Sequence, residues 1–443
     1  MRNEAILPLP LLLLLPLLGY GQTYTSYFTG NGTDLVTDPG GGTCLMGGAT
    51  EHDQAMRWWL QRAEGGDILV LRTSGADGYN DYLYAALGVP VNSVETIVCH
   101  DPAAGYDPYV QERIRRAEAI WFAGGNQWDY VSYWRGTPVD SLVNEAVRSR
   151  HAAIGGTSAG MAVLSRYYFS AQNGTITSAE ALSDPFHPSL TVDTAAFLSA
   201  AYLEDVLADT HFDNPDRRGR LTAFLARLFT LTGQPVSGIA CDEYTAVCIS
   251  PDGHATVYGD YPAYDDNAYF VSPHCGLPQP VPESCSPGVP LTWNLQAEAL
   301  DVCQVKGTAN GDFSFDLSDW ETTVGGSWLH WWAEDGFLFS AAATPPDCLP
   351  SAADPTAPQP DGFLSVHPNP GSGRFRVSVS NGLLEADARI EVLNPLGQAV
   401  PVSVLRNGSQ LTFQAVGVGA GLYFLSVQDK RGRRSCPFVL LAE

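Results

Sequence analysis

Ser158 stands in GGTSAG (155–160), after the apolar run AAI and before AGMAVL. Gly156-Thr157-Ser158-Ala159-Gly160 fits G-x-S-x-G, the spacing of a nucleophile on a tight strand-to-helix turn. Such a turn crowds the backbone, so its neighbours must be small. The N–H after the serine then faces the oxyanion that develops on an attacked carbonyl, and a helix N-terminus adds positive potential. The same five residues also suit a plain helix N-cap, because serine caps well; the motif alone does not separate the two. A serine nucleophile needs a base, and the base needs an orienting acceptor. The chain has 9 His. His211, in LADTHFDNPDRRGRL, follows an apparent strand and precedes a predicted helix with Asn214 as its cap, Pro215 at its first position and Leu221, Phe224, Leu225 and Leu228 as its apolar stripe. Arg217 and Arg220 share a face of that helix. They read either as a solvated helix start or, since cations are disfavoured at a helix N-terminus, as a seat for an anionic ligand. VSGIACDEYTAVCIS (236–250) sets Asp242-Glu243 between two apolar half-strands. Either carboxylate is able to accept the imidazole N–H and hold its tautomer, or to serve only a turn.

These residues need a scaffold, and the first 275 residues supply its pattern. DILVLRT (67–73), AEAIWFAGG (117–125) and AAIGG (152–156) read as buried strands; EHDQAMRWWLQRAEG (51–65) and PVDSLVNEAVRSR (138–150) read as helices. Strands alternating with helices predict an α/β domain with a largely parallel sheet flanked by helices. Ligands sit at the carboxyl ends of such strands, where Gly124-Gly125 and Gly155-Gly156 fall.

The chain is 443 residues long, more than one ordinary domain. Its net charge of -24 repels phosphate and excludes a nucleic-acid partner; it suits a soluble extracellular surface or a cationic substrate. MRNEAILPLPLLLLLPLLGYGQ reads as a secretory signal, with an apolar core too short and Pro-broken for a membrane span and with cleavage near residue 22. Export permits disulfides, for which Cys241 with Cys248, Cys275 with Cys285 and Cys303 with Cys348 are plausible pairs. The chain has 9 Cys, so at least one is left free. Neither CxxC nor HExxH spacing appears, so no metal and no cofactor is expected. From about residue 276 Pro, Gly, Ser and Cys rise, a stretch with Trp320, Trp328, Trp331 and Trp332 follows, and SAADPTAPQPDG (351–362) reads as a linker. The last 80 or so residues alternate in short runs that predict a small β-sandwich.

GGTSAG, FAGGNQ (122–127), DTHF with RRGRL (209–221) and DEYTA (242–246) together resemble the cyanophycinase/peptidase E family of serine peptidases, of the class I glutamine amidotransferase-like group. The four motifs keep the family's order over about 250 residues. The resemblance implies Ser158 as nucleophile, His211 as base and Glu243 as its orienting residue. It implies the N–H groups of Gly125 and Ala159 as the oxyanion hole, and Gln127, Arg217 and Arg220 as substrate contacts. It implies hydrolysis of aspartyl bonds in a peptide or polypeptide, as in the release of β-aspartyl-arginine from cyanophycin, and often a homodimer. Two positions depart: Thr210 stands where the cyanophycinase pattern has Gln, and Pro215 where it has a further Arg. A proline cannot replace a bidentate anion contact. HPNPGSGRFRV (367–377), IEVLNPLGQAV (390–400) and VGAGLYFLSVQ (418–428) resemble the type A sorting domain of the type IX secretion system, which implies that machinery as a partner and a secreted or surface location in a Bacteroidota-type cell. A carbohydrate-binding sandwich is the structural rival there. The expected organisation is a signal peptide (1–22), a peptidase domain (23–310), a Trp-rich β extension (311–350), a linker (351–362) and a sorting domain (363–443). The competing functions are a non-catalytic surface protein that binds acidic peptides, and a hydrolase of a non-peptide amide or ester.

Overall fold

The computed structural model describes residues 22–346, apart from 196, 199 and 277–279, and, further on, residues 364–367, 374–379, 389–393, 399–407, 410–415, 418–419, 421–429 and 432–440. The expected signal peptide and linker lie outside the described residues, except for Gln22. Two compact units divide between Leu349 and Pro350.

The first unit opens with β1 (Tyr24–Gly30), β2 (Thr43–Met46), α1 (Asp53–Gln61), β3 (Asp67–Arg72), β4 (Ser93–Cys99), α2 (Pro108–Arg116), β5 (Ala119–Phe122), α3 (Gln127–Trp134), α4 (Pro138–Arg150), β6 (Ala153–Thr157) and α5 (Ala159–Ala162). After them come β7 (Tyr168–Phe169), α6 (Ser178–Ser183), β8 (Val192–Asp193), β9 (Val206–Asp209), α7 (Arg218–Thr232), β10 (Ser237–Cys241), β11 (Ala246–Ile249), β12 (His254–Tyr261), β13 (Asn267–Pro273), β14 (Leu300–Lys306), β15 (Phe313–Asp316), β16 (Thr323–Val324), β17 (Gly326–Glu334) and β18 (Phe337–Ala342).

A ten-stranded sheet runs β1-β4-β3-β5-β6-β2-β11-β12-β15-β16. Its heart, β4-β3-β5-β6-β2, is parallel; β1 and β11 join it antiparallel. The parallel strands are buried on both faces, as DILVLR and AIWF require. On one face they meet α2, α3 and α4 through Val110, Ile114, Val131, Trp134 and Val143. On the other, α1 seats Trp59 against Trp121, with ring centroids 5.0 Å apart. The α/β fold read from the sequence is therefore present.

A second, six-stranded sheet, β18-β17-β14-β13-β10-β9, was not foreseen. Only β9 and β10 in it are parallel. Helix α7 covers it with Leu221, Phe224, Leu225 and Leu228. The Trp-rich stretch is built into both sheets, β15 and β16 extending the first and β17 and β18 the second; Trp328 and Trp331 are buried. The two half-strands around Asp242-Glu243 are β10 and β11, which belong to different sheets, so the turn between them crosses from one sheet to the other.

Three cysteine expectations need correction. Cys241, Cys248, Cys285 and Cys303 are free, as are Cys44 and Cys99, so none of the three proposed pairs forms; Cys275 is disulfide-bonded. Cys241 and Cys248 sit on strands of different sheets, and the sulfur facing Cys248 is Cys44, 3.6 Å away across β2 and β11. No helix among the described residues is long and apolar enough to cross a membrane.

The second unit holds two four-stranded sheets. Phe375, Val377, Val392, Phe413, Leu425 and Val427 form its core.

Candidate active site

Strand β6 ends at Thr157, and Ser158 turns with φ 52° and ψ -116°, a conformation closed to most side chains. Gly156 and Gly160 make that turn possible: a Cβ on Gly156 would lie 2.6 Å from the Gly160 carbonyl carbon, and one on Gly160 would run into the Phe122 carbonyl. Gly155 lies within β6, not beyond it, and leaves room for the Trp121 ring. The helix after Ser158 is one turn, Ala159–Ala162, shorter than the sequence pattern implies. Ser158 makes no capping bond with its side chain. Its N–H donates to the Met46 carbonyl at 3.0 Å, and its Oγ lies 2.7 Å from His211 Nε2.

His211 follows β9 with φ 48°. Its own N–H donates to the Gly47 carbonyl at 2.8 Å. Its ring presses on Gly48, where a Cβ would sit 2.5 Å from Nε2. His211 Nδ1 lies 2.6 Å from Glu243 Oε1. Of the two carboxylates left open by the sequence, Glu243 meets the imidazole; Asp242 Oδ2 instead accepts from the Asn267 backbone and side chain at 3.1 and 2.9 Å. Asn214 Nδ2 donates to Glu243 Oε2 at 3.3 Å, and the Glu243 N–H donates to Asp213 Oδ1 at 2.9 Å. Burial pushes the Glu243 carboxyl up, but hydrogen bonds from His211 and Asn214 outweigh it and hold the group below its ordinary value. Burial raises Asp242 to about 7.

The helix after His211 begins at Arg218, not at Asn214. Asn214 serves Glu243, and the Arg218 N–H is taken by Asp216 Oδ1 at 3.0 Å. Arg217, half-buried, donates to the Thr210 carbonyl at 2.8 Å; burial and then the neighbouring Arg220 lower it to about 10. Arg220 is only 3% exposed. Its guanidinium pairs with both oxygens of Asp209, through Nε at 3.0 Å and through Nη2. Gln127 opens α3 and donates to the Phe169 carbonyl at 3.3 Å. Gly125, exposed with φ 158°, follows Gly124, whose Cβ position is 3.7 Å from that of Ser158. Ala159 is buried directly after the serine. Beside Glu243 opens a cavity of about 680 Å³ lined by Asp213, Asp242, Asp260, Asp265 and Asp266.

Sequence reasoning missed Gly47-Gly48, at the end of β2. Gly47 accepts from His211, Gly48 accepts from Tyr244 at 3.0 Å, and Gly47 donates to the Thr245 carbonyl at 2.9 Å. This pair ties the His211 loop to the Glu243 turn. CLMGG (44–48), an apolar run ending in two glycines, was the available signal.

Residues 78–255 match peptidase family S51. Residues 365–439 match a secretion system C-terminal sorting domain. Both resemblances read from the sequence thus stand. The cyanophycinase of Geminocystis herdmanii is 28% identical over 160 residues, 36% of this chain and 53% of its own. That of Thermosynechococcus vestitus is 28% identical over 226 residues, 48% of this chain and 64% of its own. The chain thus spans less than two thirds of these relatives' length. Among solved structures, a peptidase from an acI-B1 Actinobacterium covers 53% of this chain and 91% of its own, at 16% identity and a TM-score of 0.38. A putative peptidase E protein from Listeria monocytogenes covers 50% and 98%, at 13% identity and 0.32.

Proposed function

We propose that this chain is a secreted serine peptidase that hydrolyses aspartyl bonds, β-aspartyl or isopeptide in type, through Ser158, His211 and Glu243. The observation that carries this reading is the pair of contacts on one imidazole, 2.7 Å to Ser158 Oγ and 2.6 Å to Glu243 Oε1, on a serine held in the conformation of a nucleophile turn. Glu243 accepts the Nδ1 proton, which leaves the Nε2 lone pair to take the Ser158 hydroxyl proton. Ser158 Oγ attacks the scissile carbonyl, and the N–H groups of Gly125 and Ala159 receive the oxyanion. His211 hands its proton to the leaving amine, and water, deprotonated by the same imidazole, releases the acyl group. Arg217 meets the substrate carboxylate, Gln127 contacts the substrate, and Arg220, engaged by Asp209, backs Arg217. The acidic cavity beside Glu243 supports a substrate with a basic group. The sorting domain supports export by the type IX machinery to the surface or medium, with residues 1–22 as signal peptide; a homodimer and a sorting domain over 363–443 belong to the same proposal, while residues 311–346 are part of the peptidase unit rather than an extension of it.

The test incubates the protein and its Ser158→Ala variant with cyanophycin and with β- and α-aspartyl dipeptides, and follows released amine. Release of β-aspartyl-arginine by the parent alone makes cyanophycin the substrate despite Pro215. Cleavage only of other aspartyl peptides means that loss of the arginine at that position redirects the pocket. Turnover by Ser158→Ala at the parental rate would sink the assignment. If neither protein cuts anything and a fluorophosphonate fails to label Ser158, the chain is a binding protein.

A further inference from the structure

His274, Asp301 and His330 come together on one face of the second sheet. Asp301 on β14 pairs in register with His330 on β17, and His274 follows the end of β13, the strand on the other side of β14. His274 Nδ1 lies 2.9 Å from each Asp301 oxygen, and His330 Nδ1 lies 3.2 Å from Oδ1. The two rings stand at 90° with centroids 5.6 Å apart. One donor atom from each of the three residues lies within 4.8 Å of the others. We infer that these three side chains form a binding site for a divalent transition metal of the zinc class, with His274 Nδ1, Asp301 Oδ1 and His330 Nδ1 as ligands and a fourth position open to water.

Three observations carry the inference. First, Asp301 is a buried carboxylate, 1% exposed, and among the described residues its only ion-pair partners are the two imidazoles. The imidazoles offset its charge only when protonated, and a buried carboxylate without such an offset is costly; a divalent ion supplies it. Second, His330 Nδ1 is buried and makes no hydrogen bond, although it is only 3.2 Å from a carboxylate oxygen. His330 is thus not placed to hold the carboxylate by an N–H, whereas His274 Nδ1 is in hydrogen-bond geometry to both Asp301 oxygens and gives up that proton when it takes an ion. Third, the nitrogen-to-oxygen spacings of 2.9 and 3.2 Å approach the edge of a tetrahedron, about 3.3 Å for zinc–ligand bonds near 2.0 Å. Two imidazoles and one carboxylate with an open fourth position is a recurrent zinc donor set, and it also suits other divalent first-row ions. Gly276 leaves room for the His274 ring, since a Cβ there would sit 2.8 Å from Nε2. The three ligands come from β14, from β17 and from the chain just beyond β13, so the ion would pin neighbouring strands of one sheet together.

The experiment uses the full chain without a polyhistidine tag, stripped with a chelator and then given zinc alone. Bound zinc is counted after gel filtration, and cobalt(II) substitution reports geometry through its visible absorption bands. The expected result is one zinc per chain, intense cobalt bands of a four-coordinate site, and a zinc-dependent rise in Tm. His274→Gln and His330→Gln each weaken uptake by at least about 100-fold, more than loss of an outer partner costs, and abolish the cobalt bands with the circular dichroism unchanged. Ser158→Ala keeps full uptake, which makes this outcome independent of the proposed peptidase. Should the stripped parent bind no zinc above the level of the His274→Gln/His330→Gln double variant, the cluster is a hydrogen-bonded carboxylate clasp and the inference fails. Asp301→Asn serves as a further arm: if it folds, it too loses the metal, and zinc binding at the parental level in that variant would overturn the ligand set.

Discussion

Two imidazole–carboxylate clusters lie in the first unit, and they differ in what surrounds them. His211 and Glu243 stand on turns at strand ends, 25% and 20% exposed in their side chains, with a serine hydroxyl on the far nitrogen. His274 and His330 flank a strand-borne aspartate whose side chain is 2% exposed, with no hydroxyl between them. In the two proposals made above, the same two residue types are thus set up for two chemistries. An imidazole with a partly exposed carboxylate on one nitrogen and a hydroxyl on the other is arranged to move a proton. Two imidazoles converging on a buried carboxylate are arranged to hold charge in place. The third partner and the depth of burial decide the outcome.

Glu243→Gln breaks the first cluster most cleanly. It keeps the shape but withdraws the charge that fixes the His211 tautomer, and turnover should fall by about 10³–10⁴-fold; steady-state kcat checks this, while zinc content at the second cluster stays at the parental level. A Gly48→Ala change removes no reacting group but pushes the His211 ring out of place. The added methyl meets Nε2 at a backbone φ of 122°, and a displacement near 1 Å should cost roughly 10²-fold in kcat, with the fluorophosphonate labelling rate falling in step.

Burial of carboxyl groups elsewhere in this unit has a signature in pH. Asp242 and Glu118 are raised by burial from ordinary values of 3.8 and 4.5 to about 7. Between those limits the folded chain holds protons that the unfolded chain has released. Their contribution to stability is therefore full below about pH 4 and lost as pH rises towards 7. Denaturant midpoints should drop across that window, by on the order of 3 kcal/mol in extrapolated stability, and Asp242→Asn should flatten part of the slope. Glu243, held below its ordinary value, has the opposite sign: its contribution is present at neutral pH and lost on acidification. The smallest effect expected is that of Arg217→Lys. A lysine cannot reproduce a two-pronged carboxylate contact, so KM should rise roughly tenfold, the worth of about 1.4 kcal/mol, with kcat little changed. A rise in kcat loss instead would move Arg217 from substrate binding to the chemical step.

Much of the site was legible because its residues carry local signatures. Small residues around Ser158 reflect a turn that admits no Cβ at positions 156 and 160, and the few histidines made His211 conspicuous. The choice between Asp242 and Glu243 was not legible from residue types, because it depends on which way a turn between two sheets faces its neighbours. The second sheet was hidden for a similar reason: its strands are drawn from residues 206 to 342, and pairing across such separations leaves no mark in a short window. The cysteine pairs failed on the same point, since nearness of Cys241 to Cys248 in sequence says nothing when the chain changes sheets between them. Asn214 and Pro215 looked like a helix start because they satisfy its local rules, but the Asn214 amide is claimed by Glu243 and the helix waits for Arg218.

The turn that carries Glu243 from one sheet to the other has a consequence in time. Ser158 belongs to the first sheet, His211 to the second, and Glu243 to the crossing between them, while Gly47 and Gly48 come from more than a hundred residues earlier. No fragment ending before residue 243 contains the whole constellation, and neither sheet alone brings its groups within reach. Contacts of such long range cost loop-closure entropy before they form. A chain still emerging from the ribosome thus lacks the assembled constellation, and the three side chains meet only when both sheets have come together.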